Sequence, residues 1–284
     1  MTGVSVRGLT KDFGSSVRAV DALTFTVAPG RVTGFLGPNG AGKTTTLRMM
    51  VGLIRPTAGE ALINGRTYGQ LARPRRVVGA LLEATGAHPG RRGRDHLRLL
   101  AQVTGMPARR VDEALDQVGL TDAAGRRVGG YSLGMRQRLG LGAALLGDPE
   151  ILLLDEPANG LDPAGIAWLR SLLRDLAAEG RAVLISSHVL SEVAQTADDV
   201  VIVNEGQLRH AGPLAELDDL EAAFLRLTGT PAEPSGTASE KAPEHAAGQP
   251  TWRTSGQPTG DPAGNGGGRA AGGAAGEAAE GRSA

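Results

Sequence analysis

The stretch Gly37, Pro38, Asn39, Gly40, Ala41, Gly42, Lys43, Thr44 and Thr45 joins a glycine-rich turn to an amine and two hydroxyls. A glycine, four free positions and then Gly-Lys-Thr is the spacing of a phosphate cradle. Backbone N–H groups point into such a loop and the following helix adds partial positive charge at its N-terminus. Lys43 is placed to reach the β- and γ-phosphates, and Thr44 offers its hydroxyl to Mg²⁺. The chemistry works only if the loop leaves a strand and enters a helix. Residues 32–36 are short and apolar enough for a buried strand, and residues 45–51 carry the helix-compatible Leu47, Arg48, Met49 and Met50. The stretch reads as a binding site for a nucleoside triphosphate.

A second chemical cluster lies at Asp155 and Glu156, directly after the apolar run Ile151-Leu152-Leu153-Leu154. A carboxylate at the C-terminal end of a parallel strand can hold the Mg²⁺ that Thr44 also touches, which is the role expected of Asp155. Two adjacent carboxylates repel unless a cation or a proton-transfer task keeps them together. Glu156 is therefore expected to polarise the attacking water as general base. With the phosphate loop, the pair turns a binding site into a hydrolytic one.

These residues need a scaffold, and the hydrophobic pattern supplies one. Near the N-terminus, residues 4–6 and 22–27 alternate like antiparallel strands, turned by Pro29-Gly30. Further strands are expected at 61–63, before Asn64-Gly65, and at 77–82. From 93 to about 120, Leu97, Leu100, Ala101 and Val103, then Val111, Ala114, Leu115 and Val118, recur at helical spacing on either side of Pro107. Beyond them come an apolar helix at 139–146, the strand ending at Asp155, and a helix at 163–179. A strand at 182–186, a helix at 190–197 and a strand at 200–203 close the expected core. Buried strands alternating with helices predict an α/β fold around a parallel sheet, with an N-terminal antiparallel β part and a helical insertion at about 86–147. The nucleotide-binding domain is expected over residues 1–228. Residues 229–284 contain no Leu, Ile, Val or Phe and are rich in Gly, Pro and Ala, so this tail is expected to be disordered.

Composition narrows the function. Lys+Arg and Asp+Glu are equal at 30 each, which gives no electrostatic case for nucleic acid. The absence of cysteine excludes thiolate metal sites and disulfides and favours the cytoplasm. No apolar run approaches the roughly 18–20 residues of a membrane-spanning helix, and the N-terminus lacks the apolar centre of a signal peptide. His88, His96 and His245 have no neighbours at metal-ligand spacing. Any work at a membrane is expected to pass through another chain.

Taken in order, these motifs resemble those of the ATP-binding cassette transporter ATPases, a P-loop NTPase family, over about residues 4–220. The resemblance implies roles for further residues. Phe13 stands where the family has an aromatic that stacks on adenine, usually Tyr. Glu83 stands where the family has the Gln that contacts Mg²⁺ and the attacking water and senses the transmembrane partner. Tyr131-Ser132-Leu133-Gly134-Met135 occupies the place of the family signature Leu-Ser-Gly-Gly-Gln. It keeps Ser132 and Gly134 for the γ-phosphate held by the opposite protomer. Leu161-Asp162 matches the loop that communicates across the dimer, and His188 matches the switch histidine at the γ-phosphate. The family pattern thus implies ATP and Mg²⁺ as ligands, a homodimer, and a separate transmembrane permease that holds the subunit at the cytoplasmic face of the cell membrane. The variant signature and Glu83 resemble ATPase subunits of exporters that remove antibiotics or bacteriocin-type peptides. An importer subunit, or a soluble relative acting on ribosomes or DNA, is the alternative. A guanine-reading Asn-Lys-x-Asp motif is missing from the sequence.

Overall fold

Five consecutive buried residues, Val32–Leu36, set the plan of the molecule. A strand with no exposed face needs neighbours on both edges and layers above and below it. In the computed structural model, which describes residues 3–14, 16–82 and 86–229, the chain opens with β1 (Val4–Phe13), β2 (Val17–Val27), β3 (Val32–Leu36), α1 (Lys43–Met50) and β4 (Ala58–Ile63). There follow α2 (Pro74–Val77), β5 (Val78–Leu81), α3 (Gly93–Val103), α4 (Arg109–Gln117), α5 (Leu133–Leu145) and β6 (Ile151–Asp155). The order ends with α6 (Pro163–Ala178), β7 (Ala182–Ser187), α7 (Leu190–Thr196), β8 (Asp199–Asn204), β9 (Gln207–Pro213) and α8 (Leu220–Thr228). Of the expected tail 229–284, all but Gly229 lies outside the described residues, as does Glu83.

Among the described residues the strands form two sheets. One has the order β2-β1-β4 and is antiparallel. The other runs β5-β6-β7-β3-β8-β9, parallel from β5 to β8, with β9 antiparallel on the edge. The mixed α/β architecture expected from the sequence is present. Register decides what meets what: Asp155 pairs with Ser186 and Leu36 with Ser187. The C-terminal ends of β3, β6 and β7 therefore share one rim, the position where open parallel sheets bind ligands.

Several expectations are corrected in detail. The strand at 200–203 is longer, Asp199–Asn204, and is not the last, because β9 pairs beside it. β9 alternates exposed and half-buried residues and carries Gly and Pro, so it has no apolar run to announce it. β1 and β2 extend well past residues 4–6 and 22–27; register shifts along their pairing break the strict alternation. The helix expected at 139–146 begins earlier, at Leu133. Leu97, Ala114, Leu115, Val118, Leu139 and Leu141 do join one core cluster across α3, α4 and α5. Val103 does not, being 76% exposed. It lies six residues beyond Leu97, about 120° around the helix from the apolar face.

Candidate functional site

The phosphate loop leaves β3 at Leu36 and turns into α1 at Gly42, whose φ of 97° belongs to the left-handed region. A Cβ there would sit 2.4 Å from the Ala19 carbonyl oxygen of β2, so both torsion and space require glycine. Among the described residues no side chain caps the first turn of α1. The N–H donors of that turn, which have no acceptor within the helix, remain available to an anion. Lys43 is buried inside the loop, and its Nζ donates to the carbonyls of Gly37 at 2.6 Å and Pro38 at 3.2 Å. Burial pushes the ammonium below the ordinary lysine range, while the charges of Glu156 and Asp155 push it back up. The loop thus holds a largely desolvated amine against its own carbonyls.

Asp155, at the rim end of β6, joins the two halves of the site. Thr44 Oγ1 donates to Asp155 Oδ2 at 2.7 Å, and Ser186 Oγ donates to Oδ1 at 2.5 Å. An alcohol and a carboxylate in direct contact are hard oxygen donors, the set that suits Mg²⁺. The residues present therefore fit the ion.

Glu156 is held at three points. Its φ is 49°, rare for a residue with a side chain. The Glu156 N–H donates to Ser186 Oγ at 2.9 Å, and its carbonyl accepts from Gln137 Nε2 at 3.2 Å. The carboxylate Oε2 lies 2.8 Å from His188 Nδ1. A backbone torsion of this kind costs of order 1–3 kcal/mol and persists only where the surroundings over-determine it.

Ser186 and Gln137 escape the sequence reading, although each leaves a trace in the sequence. Ser186 is the strand residue level with Asp155 on the neighbouring strand, visible once the two runs are aligned in parallel. Gln137 is the one polar member of the stripe it forms with Leu141, Ala144 and Leu145 on α5, and a polar group at such a position must find partners. Replacing Ser186 by Ala should lower unfolding free energy by about 1–3 kcal/mol, because the part-buried Glu156 N–H loses its acceptor and Asp155 loses a donor. Thermal denaturation checks the loss; an unchanged melting temperature would show that the hydroxyl does not hold Glu156.

The other predicted residues fall in separate places. Phe13 ends β1, is 44% exposed and pairs with Val17, close along β2 to the Ala19 carbonyl that abuts Gly42. The Lys11 ammonium lies 5.1 Å from its ring centroid. Ser132 caps α5, its Oγ accepting from the Met135 N–H at 3.1 Å, and Asp162 caps α6, its Oδ1 accepting from the Gly165 N–H at 2.7 Å. Gly134 packs against Gly160, since a Cβ on Gly134 would lie 3.0 Å from the Gly160 carbonyl oxygen. Leu133, half exposed, covers Gly160 itself, where a Cβ would meet it at 2.3 Å. Among the described residues no hydrogen bond joins Ser132 or Gly134 to the phosphate loop of the same chain. His88 is exposed and His96 buried, and burial lowers the pKa of His96. Among the described residues no group of His, Asp and Glu is clustered as a preformed metal cage, and His245 lies outside them.

Comparison with known proteins places this geometry in context. The sequence model of the ABC transporter family matches residues 20–159. The bacitracin transport ATP-binding protein BcrA of Bacillus licheniformis is 42% identical over 227 residues, covering 79% of this chain and 74% of that protein. The lantibiotic transport ATP-binding protein SrtF of Streptococcus pyogenes is 34% identical over 205 residues, 72% of this chain and 88% of that protein. Among solved structures, one described as an ATP binding subunit of an ABC transporter superposes with a TM-score of 0.73 at 27% identity, over 80% of this chain and 99% of that one. The dimeric bacterial ABC transporter cassette MJ0796 shares the fold, with a TM-score of 0.68 at 22% identity over 74% of this chain and 98% of that one.

Proposed function

The chain belongs to the ABC transporter family, as an ATP-hydrolysing subunit, and from that premise we propose that it powers export of a peptide antibiotic or related drug through a separate membrane permease. The observation that carries the hydrolytic part of the reading is the triple hold on Glu156 beside the Thr44–Asp155 contact. A glutamate held at its backbone N–H, its backbone carbonyl and one carboxylate oxygen is preorganised as a general base. In this reading Glu156 takes a proton from a water that attacks the γ-phosphorus. The bond to the β–γ bridging oxygen breaks, and ADP and phosphate leave. Lys43 and the first turn of α1 hold the phosphates throughout. Thr44 and Asp155 would hold Mg²⁺, which when bound neutralises charge on the β- and γ-phosphates. His188 orients Glu156 and faces the γ-phosphate, Phe13 stacks on adenine, and Glu83 serves the metal and the attacking water.

A single chain lacks the second half of the site in this reading. Ser132 is exposed at the start of α5, and among the described residues no hydrogen bond joins it to its own phosphate loop. It is free to reach the nucleotide of a second copy, with Gly134 and Asp162 at the same interface. The subunit works as a homodimer at the cytoplasmic face of the cell membrane. The described residues include no helix long and apolar enough to cross a membrane, and the permease is proposed as a different chain. Domain limits of 1–228 and 229–284, with the helical part at about 86–147, complete the proposal.

Export is supported by the bacitracin and lantibiotic transport relatives. Expressing the chain with a candidate permease chain in a sensitive host should raise resistance to bacitracin or a lantibiotic several-fold. The gain should vanish in a hydrolysis-dead variant. Cellular accumulation of labelled peptide, instead of its loss, would overturn export in favour of import.

A further inference from the structure

Gln137 has a place in this chain that the proposed catalytic roles leave unexplained. Its side chain is 4% exposed, and its amide donates to two carbonyl oxygens of the loop after β6, Glu156 at 3.2 Å and Pro157 at 3.0 Å. The Asn159 N–H also donates to the Glu156 carbonyl, at 3.2 Å. One end of α5 is therefore bonded to the backbone of the residue read as general base, at a torsion that needs outside support. Five residues earlier the same helix begins at the exposed Ser132, about 7.5 Å along its axis. Between the two points α5 is continuous helix, and its first turn rests on the loop ahead of Asp162 through Leu133, Gly134 and Gly160.

We propose that Gln137 is a positioning residue that couples the two sites of a dimer: it sets the Glu156 backbone of its own chain according to the nucleotide that its own helix α5 holds for the partner. The inference rests on the reading that Ser132 and Gly134 engage the opposite protomer. The physics is that of a short rigid lever. A helix with intact hydrogen bonds moves as a body, so a contact that pulls on its first turn also moves a side chain one and a third turns later. Hydrogen bonds at 3.0–3.2 Å weaken with a few tenths of an ångström of displacement. The two Gln137 bonds are thus sensitive to tilt of α5, and Glu156 relaxes when they lengthen. Hydrolysis at one nucleotide then depends on occupancy of the other, which is energetic coupling through a contiguous physical element.

A role limited to satisfying two buried carbonyls makes a different prediction, and a split of kinetic parameters separates the two. In the full chain, Gln137→Met keeps the volume and the buried packing but removes the donor. Turnover against ATP concentration in the wild type should show a Hill coefficient approaching two, the number of sites. In Gln137→Met the coefficient should fall to about one and turnover by about tenfold, the worth of roughly one lost hydrogen bond of 1.4 kcal/mol. ATP affinity, measured with a fluorescent analogue on non-hydrolysing protein, should stay within about twofold, because the phosphate contacts are intact. Gln137→Asn keeps the amide but falls one methylene short of both carbonyls. It is read in the same way and covers the case in which the methionine variant does not fold. Retained cooperativity in the folded variants, with turnover lowered or not, would overturn the coupling role, and so would a wild-type coefficient of one. A wild type without ATPase activity, or a fully active Glu156→Gln control, would instead sink the underlying reading of the site.

Discussion

Glu156→Gln should lower ATP turnover by about 10²- to 10⁴-fold, the range assigned to a positioned general base. The substitution is nearly isosteric, so the held backbone of the residue stays in place, with its N–H on Ser186 and its carbonyl on Gln137. The side-chain amide can still meet His188 at the present 2.8 Å separation. What disappears is the negative charge and the ability to take a proton. ATP binding needs neither, and removing a carboxylate from the vicinity of the triphosphate relieves repulsion. The variant should therefore bind ATP at least as tightly and accumulate as an ATP-bound dimer. Single-turnover hydrolysis and size-exclusion chromatography with ATP measure the two consequences separately. Unchanged turnover would remove Glu156 from the role of base. Slow turnover without a trapped dimer would keep the base and reject the two-chain site.

The site divides into parts that could be read from residues and parts that could not, and the division has a physical basis. β3 and β6 are continuous apolar runs because both faces of a central parallel strand are buried, and each leads into residues proposed to do the chemistry. The phosphate loop is legible because its torsions and its close approach to β2 demand glycine at Gly42. Asp155 and Thr44 could be paired in advance because a shared Mg²⁺ requires two oxygen ligands. By contrast, Ser186 and Gln137 act through the backbone of Glu156, from positions 30 and 19 residues away. No local pattern marks a serine at a strand end. Only the register Asp155–Ser186 shows which atoms it faces. β9 was missed for the opposite reason. An edge strand with one wet face has no need of apolar residues, and β9 can end in Gly and Pro. Phe13 shows the limit of reading by resemblance. Its place near the phosphate loop follows from the β1–β2 pairing, whereas the ammonium of Lys11 over its ring is a tertiary contact that no motif describes.

Lys43→Ala should abolish most of the stabilisation that ATP gives while leaving the ligand-free protein near its original melting temperature. Two effects on the ligand-free chain oppose each other. The truncation removes an ammonium that burial already disfavours, which relieves a desolvation cost. It also leaves the Gly37 and Pro38 carbonyls without the donor at 2.6 and 3.2 Å, and each carbonyl must then turn to water or remain unpaired. These contributions are each of order 1–3 kcal/mol and of opposite sign, so the net shift should be small. Binding has no such compensation. A charge-assisted contact to phosphate is worth about 1.5–3 kcal/mol, which corresponds to an affinity loss of about 10- to 100-fold. At an ATP concentration of about 100 times the wild-type dissociation constant, linkage stabilises the native state by about 2.7 kcal/mol. A 100-fold weaker variant would gain only about 0.4 kcal/mol. For a domain of this size the difference is an ATP-dependent rise in melting temperature of roughly 5–10 °C in the wild type against about 1 °C in the variant. Paired melting curves with and without ATP read it directly. An undiminished rise would mean that the phosphates do not sit against Lys43, and the loop would have to hold some other anion.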